Sequence, residues 1–269
     1  MRGALLLALL ALALPLAAAP RVVSLAPSLS EIVVELHATD LLVGVLDGGE
    51  RPAALAALPS VGRYGQIDME RLLSLKPDLL LLWPDSVPAA QRDQLKRLGI
   101  ATYSAEPHGI DELIEQIEAI GAQLGRAEQG QRRAQQLREQ VQGLRERYHR
   151  EQPLRVFYQV WDKPLYTVGG GQIVSDALAV CGARNVFAEQ TLPAPQVSVE
   201  SVLLQDPQVI LAGDQAQLDA WKAWPQVDAV RNGRLLQVPD KGLERPSGQM
   251  IEATARLCQL IATKAPVSR

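Results

Sequence analysis

The chain contains few of the residues that most often carry enzyme and metal chemistry. Its 269 residues include three histidines, at positions 37, 108 and 149, and two cysteines. These form neither an H-x-x-x-H pair nor a cysteine-rich cluster, so we expect no metal ligands. Ser175 and Ser247 both lie outside a G-x-S-x-G context, which removes a common signal for a serine nucleophile. This scarcity predicts a binding protein rather than an enzyme.

A large excess of charge of one sign is also missing. The formal net charge is -3, and 47% of the residues are hydrophobic. Such a composition is typical of a globular protein and lacks the basic excess that binding to nucleic acid requires. We therefore expect no nucleic acid partner.

Long apolar runs are confined to the N-terminus, where one extends to Ala19. A basic start, a Leu/Ala-rich stretch and a small-residue end are typical of a secretory signal peptide. The rival interpretation is a membrane anchor, for which the run is only just long enough. No cysteine follows the run to carry a lipid. We expect cleavage near Ala19 and export of the mature chain.

Hydrophobic periodicity divides the remaining chain into two similar halves. Strand-like apolar runs alternate with amphipathic segments, except at residues 126–150, where a polar segment with a thin apolar stripe predicts one long solvated helix. We therefore predict an α/β fold of two β/α lobes joined by a single long helix. The predicted divisions are a signal peptide at 1–19, an N-terminal lobe at 20–121, the linking helix at 122–152 and a C-terminal lobe at 153–269. Early in the first lobe, Ser28 and Glu31 have the spacing of a capping box.

Two stretches with the same layout recur, one in each half. They are residues 68–83, DMERLLSLKPDLLLLW, and residues 198–213, SVESVLLQDPQVILAG. Asp68 and Ser198 predict helix N-caps, and each stretch ends in an apolar run that predicts a buried strand. The repeat indicates that the two lobes contain corresponding elements.

Each stretch has a glutamate two residues after the predicted N-cap, Glu70 in the first and Glu200 in the second. A carboxylate in the first turn of a helix interacts favourably with the helix dipole. The same exposed position on two lobes would also suit docking onto arginines of a symmetric partner. The residues alone leave both interpretations open.

Aromatic residues make up only 4% of the chain, so their positions are informative. Four lie in loops or at the carboxyl ends of predicted strands, where open α/β sheets bind ligands. Because they are spread over both halves, they favour a shared ligand cleft between the lobes. These candidate ligand-binding residues are Tyr64, Trp83, Trp161 and Tyr166. Trp221 and Trp224 have helical spacing and predict packing contacts instead.

The two cysteines, Cys181 and Cys258, have two interpretations. In an exported chain they most simply form one disulfide, and the alternative is a pair of buried free thiols.

Several motifs taken together resemble a known family. They are RVVSLAPSLSE, LLVGV, ERLLSLKPDLLLLW, VCGARNVF and PQVSVESVLLQDPQVI, with a long polar helix between the halves and LERPS near the end. The chain resembles, nearly end to end, the helical-backbone substrate-binding proteins of bacterial ABC importers, which serve cobalamin, haem and siderophores. Within that family it is most similar to members that bind cobalamin.

The resemblance implies a monomeric periplasmic protein that captures cobalamin or a related corrinoid and delivers it to the permease dimer of an ABC importer. It implies no intrinsic cofactor, since the corrinoid is the ligand. It assigns permease docking to Glu70 and Glu200, and it implies a disulfide between Cys181 and Cys258. It also implies that Tyr64, Trp83 and Tyr166 contact the corrin ring, with Arg245 in the cleft.

Three positions depart from the cobalamin-binding pattern: Gly48 and Ala194 stand where aromatic residues are expected, and Lys241 replaces an acidic residue. These departures fit a more open pocket or a related corrinoid, such as a base-modified or truncated form. The alternative ligand that the family resemblance implies is haem or a ferric siderophore, with Tyr64 as a candidate ligand of haem iron. An exported hydrolase is the alternative from another functional class.

Overall fold

The computed structural model describes residues 19–49, 51–84 and 86–264. The predicted signal peptide lies outside the described residues apart from Ala19. In the described part of the chain, no helix combines the length and the apolar character that crossing a membrane requires.

The first half forms a six-stranded sheet with strand order β4-β3-β2-β1-β5-β6. All its pairs are parallel except β3 with β4, which form an antiparallel hairpin. The strands are β1 (Val22–Ser24), β2 (Leu42–Asp47), β3 (Ser60–Arg63), β4 (Gln66–Ile67), β5 (Leu79–Leu82) and β6 (Ala101–Ser104). The helices are α1 (Pro27–Glu35), α2 (Met69–Ser74), α3 (Ala89–Arg97) and α4 (Ile110–Gln123).

A single long helix, α5 (Ala127–Arg147), connects this half to the next. It is shorter than the predicted linking segment, because Gly125 adopts a left-handed φ of +67° and separates α5 from the end of α4. Its buried stripe includes Ala134, Leu137 and Val141, as the spacing predicted, and this stripe packs against α4.

The second half forms a five-stranded sheet in which β11, β10, β7 and β8 are neighbours and β9 also pairs with β7. The strands are β7 (Leu154–Asp162), β8 (Leu165–Thr167), β9 (Ala183–Asn185), β10 (Val209–Ala212) and β11 (Leu235–Gln237). The helices are α6 (Ile173–Val180), α7 (Val199–Gln205), α8 (Gln215–Ala220), α9 (Asp228–Arg231) and α10 (Gly248–Lys264). The predicted α/β fold of two lobes joined by one helix is confirmed.

One hydrophobic core runs through both halves. It contains Val22 of β1, Ile117 of α4, Leu137 of α5, Val156 of β7 and Leu257 of α10. Each half also has a separate apolar cluster, which involves Leu80 in the first half and Phe157 in the second. The lobes are thus packed on a common buried layer rather than hinged on an isolated linker.

Cys181, at the end of α6, is joined to Cys258 of α10 by a disulfide, with a Cα–Cα distance of 4.7 Å. Both residues are buried. The predicted disulfide is confirmed. Trp221 is buried in an edge-to-face contact with Phe157, and Trp224 packs beside Trp221. The predicted packing role of these tryptophans is therefore also confirmed.

The predicted helix caps have two outcomes. The carboxylate of Asp68 accepts a hydrogen bond of 2.8 Å from the backbone N–H of Arg71, and Ser198 caps α7 in the same way. The capping box predicted for Ser28 and Glu31 is wrong. Since Pro27 occupies the first helical position of α1, the N-cap falls on Ala26, which has no side-chain cap.

Candidate functional site

A cavity of about 250 Å³ lies between the two lobes. The N-terminal lobe contributes the carboxyl end of β5 and the loop between β6 and α4. The C-terminal lobe contributes β7, the start of α6 and two further loops. The lining residues are Trp83, Glu106, Pro107 and His108 from the first lobe, and Tyr158, Val160, Val168, Gly171, Gln172, Ile173, Val174, Pro193, Ala194, Glu244 and Pro246 from the second.

The sheet of the first lobe explains why its contribution converges at one edge. Strands β5 and β6 are parallel neighbours, so their carboxyl ends meet. Trp83 directly follows β5, and Glu106 to His108 follow β6 just before α4 begins. Ligands of open parallel sheets bind at this edge.

The buried residue Tyr158 of β7 forms part of the opposite wall. Its hydroxyl donates a hydrogen bond of 3.1 Å to Oε1 of Glu244. Burial of the phenol, reinforced by the negative charge of Glu244, holds the pKa of Tyr158 well above its usual range. The phenol therefore remains a hydrogen-bond donor, and it fixes one oxygen of an exposed carboxylate at the cavity.

Two hydrogen bonds join the lobes beside the cavity. Nδ1 of His108 lies 3.1 Å from the backbone oxygen of Gly171, across the gap between the lobes. The carboxylate of Asp176 on α6 accepts a hydrogen bond of 2.7 Å from the backbone N–H of Ile110, the first residue of α4. A side chain of one lobe thus satisfies the free N-terminal end of a helix in the other.

A second set of polar contacts joins α1 to α5 and to the chain around the start of α10. The buried carboxylate of Glu31 forms an ion pair with Arg245 and accepts a hydrogen bond of 2.9 Å from Ser247. One turn later, Glu35 pairs with Arg133 of α5 at 3.1 Å and accepts from the backbone N–H of Gly248. Burial raises the pKa of Glu35, and the charge of Arg133 opposes that effect.

Of the five ligand-binding residues that the sequence nominated, Trp83 lines the cavity. The guanidinium of Arg245 is engaged by Glu31, and its side chain borders a small neighbouring hollow with Gly48. Trp161 and Tyr166 are cross-strand partners on β7 and β8, and neither is among the residues that line the cavity. Tyr64, at the tip of the β3–β4 hairpin, is 64% exposed.

Four residues at the cavity were not predicted from the sequence: Tyr158, Glu244, Glu106 and His108. Glu244 lies inside the LERPS motif, which could have drawn attention to it along with Arg245. His108 and Glu106 follow a predicted strand at its carboxyl end, the same signal that identified Trp83. Tyr158 follows Val156 and Phe157 in a predicted strand, and only tertiary contact reveals its exposed partner, Glu244.

Glu70 and Glu200 occupy equivalent places in the two lobes. Each is the second residue of its helix, α2 and α7 respectively, and each is exposed. Hydrogen bonds from its own backbone N–H and from Ser198 lower the pKa of Glu200. Such contacts fit stabilisation of the helix end, and they leave the outer face of the carboxylate in solvent.

Comparisons with known proteins point in one direction. The family model described as "Periplasmic binding protein" matches residues 22–241. A vitamin B12-binding protein of Vibrio cholerae serotype O1 is 35% identical over 243 residues, which cover 89% of this chain and 88% of that protein.

Solved structures agree with this match. The crystal structure of a periplasmic vitamin B12 binding protein of Vibrio cholerae has a TM-score of 0.82 and 33% identity, and covers 92% of this chain and 98% of that one. A periplasmic haem binding protein of Vibrio cholerae has a TM-score of 0.78, covering 90% of this chain and 98% of that one. Its identity is 21%, so this second likeness concerns the fold alone.

Proposed function

This chain belongs to the periplasmic binding protein family, and we propose that it captures cobalamin (vitamin B12) or a related corrinoid in the periplasm and delivers it to the permease of an ABC importer. The proposal includes a monomeric protein without catalytic activity, whose ligand occupies the cleft between the lobes. The vitamin B12-binding relatives described above support the choice of ligand.

The observation that carries this choice is the chemistry of the cavity lining. Its walls are largely apolar and aromatic, with Trp83 on one side and Tyr158 and Val160 on the other. Its charged groups are the carboxylates of Glu106 and Glu244, and no lysine or arginine is among the described residues that line it. A corrin is a broad apolar disc rimmed by neutral amides, whose N–H groups can donate to carboxylates.

The same lining disfavours the alternative ligand. Haem carries two propionates, and a carboxylate brought close to Glu106 and Glu244 would be repelled. Arg245, the residue after Glu244, already neutralises Glu31. The lining therefore favours a neutral, amide-bearing ligand over an anionic one.

The remaining predicted contacts keep their roles in this proposal. Tyr64 and Trp161 are 64% and 58% exposed, which leaves their rings available to cover a ligand larger than the cavity. Tyr166 is paired with Trp161 across the strands, and we place its ligand contact next to that of Trp161. Arg245 is partly exposed and would contact a polar group at the ligand rim.

For delivery, we place the docking contacts at Glu70 and Glu200. Their exposure at the start of corresponding helices in the two lobes suits a permease dimer that presents an arginine to each. Leu204 is 84% exposed one turn after Glu200 and supplies an apolar contact beside it.

Calorimetric titration with cyanocobalamin, cobinamide and hemin tests the ligand. We expect heat and co-elution with the corrinoids and weaker binding of hemin. Glu106→Gln and Glu244→Gln should reduce the preference for corrinoids over hemin, because each removes a negative charge from the cavity lining. Glu151→Gln, on an exposed loop outside it, is the matched control. Binding of neither corrinoid would overturn the proposal, and tight binding of hemin with a Soret change would favour haem.

A further inference from the structure

His108 is the one histidine among the described residues that line the cavity, and it is held there at two points. Its backbone N–H donates a hydrogen bond of 2.8 Å to Glu112 of α4. Its ring contacts the backbone oxygen of Gly171 through Nδ1 at 3.1 Å. The ring is therefore fixed by both lobes at the mouth of the ligand cleft, between buried Pro107 and the start of α4.

The contact with Gly171 determines which ring nitrogen is available. A carbonyl oxygen only accepts hydrogen bonds, so Nδ1 carries the proton in this contact. In the neutral ring, Nε2 then keeps its lone pair, and among the described residues no hydrogen bond to Nε2 is formed. An imidazole whose one nitrogen donates to a carbonyl and whose other nitrogen is free has the arrangement that proteins use for metal ligation.

We propose that Nε2 of His108 is an axial ligand to the metal of the bound tetrapyrrole, and that the protein thereby selects corrinoids with an open axial position. This inference rests on the proposed corrinoid function and adds a residue and a specificity to it. The exchange is balanced: the Nε2 lone pair forms a bond to cobalt, one coordinated water leaves, and no electron is transferred. Diaquacobinamide, which lacks the nucleotide base, has exchangeable water on cobalt. Cyanocobalamin has both axial positions occupied.

The competing explanation is that His108 only bridges the lobes. His108→Gln separates the two roles, because a glutamine amide can still donate to the oxygen of Gly171 but lacks the imidazole. His149→Gln is the matched control, since His149 is exposed near the end of α5 and is not among the residues that line the cavity.

Electron paramagnetic resonance of bound cob(II)inamide provides the test. One axial nitrogen splits each cobalt line into three, and water does not. We expect this splitting in the wild type and in His149→Gln, and its loss in His108→Gln. Production of the wild type with nitrogen-15 histidine should change the three lines to two, which identifies a histidine ligand without any substitution. Far-ultraviolet circular dichroism and the urea unfolding midpoint, measured without ligand, check that the three proteins are folded.

Two results would overturn the inference: a wild-type spectrum without nitrogen splitting, or a splitting that persists in His108→Gln. In both cases the corrinoid still binds, so the proposed function stands. If no corrinoid co-elutes with the wild type, the proposed function fails and the inference fails with it.

Discussion

The hydroxyl of Tyr158 and Oε1 of Glu244 are joined by a hydrogen bond of 3.1 Å that links a strand of the C-terminal sheet to the loop before α10. Tyr158 is only 1% exposed, whereas Glu244 is exposed at the cavity. The buried phenol therefore orients a carboxylate that is exposed at the cavity. A neutral phenol is the donor, and the raised pKa of Tyr158 keeps the phenol neutral into alkaline solution.

We predict that Tyr158 ionises only in strongly alkaline solution, because burial and then the charge of Glu244 disfavour the phenolate. Burial also raises the pKa of Tyr103. Ultraviolet difference absorbance during an alkaline titration should show late ionisation in the wild type, and Tyr158→Phe should remove part of it. Tyr64→Phe, which removes the hydroxyl of an exposed tyrosine, should leave the late part intact. An unchanged late part in Tyr158→Phe would contradict the prediction.

The docking proposal predicts that Glu70→Ala combined with Glu200→Ala weakens association with the permease and leaves corrinoid affinity unchanged. Both carboxylates are exposed and lie outside the cavity lining, so they can affect docking without touching the ligand. Binding of the loaded protein to the permease in detergent or nanodiscs is the measurement. Glu128→Ala is the matched control, because Glu128 is also exposed in the first turn of a helix. If complex formation is undiminished, stabilisation of the helix ends is the only role left for both glutamates.

The sequence predicted those parts of the molecule that local pattern determines. Continuous apolar runs identified β5 and β10, and capping residues identified α2 and α7, because the signal for each lies within a few consecutive residues. The capping box at Ser28 failed for a local reason too, since Pro27 is better suited to the first helical position.

The site could be predicted only in part, because its contacts join residues far apart in the chain. Ser247 and Glu31 are separated by 216 positions, and Tyr158 and Glu244 by 86. Trp83 was found because the carboxyl end of a strand is a general ligand position. A charged residue such as Glu31 in α1 gives no local sign that it is buried against the other lobe.

Glu35 gives a prediction about pH. Its pKa is raised in the folded protein, chiefly by burial, so the folded state retains a proton that the unfolded chain has already lost. The free energy of unfolding should therefore fall, relative to Glu35→Gln, as the pH rises from the ordinary glutamate pKa of about 4.3 through the higher folded value. Urea unfolding of both proteins between about pH 4 and about pH 7 measures this difference. Glu151→Gln controls for the loss of one exposed negative charge. A difference that is constant with pH, or that grows with pH, would contradict the prediction.

The disulfide should contribute substantially to stability. Cys181 and Cys258 are 77 positions apart, and closing a loop of that size is worth about 4 to 5 kcal/mol through the entropy of the unfolded chain. We expect Cys181→Ala with Cys258→Ala to lower the free energy of unfolding by about that amount in urea titrations. The wild type under reducing conditions should unfold near the same urea concentration as the double variant. A loss below about 1 kcal/mol would show that strain or residual structure cancels the entropic gain.

Arg245 is expected to have two separable roles, pairing with Glu31 and contacting the ligand. Glu31 is 2% exposed, so Arg245→Ala leaves a buried carboxylate with only the hydroxyl of Ser247, and we expect a loss of about 3 kcal/mol. Adding Glu31→Gln removes the uncompensated charge and should restore most of the stability, which a double-mutant cycle in urea would measure. Corrinoid affinity should stay reduced in the double variant, because the ligand contact of Arg245 is not restored. Full recovery of affinity together with stability would mean that Arg245 serves only to hold the two lobes in place.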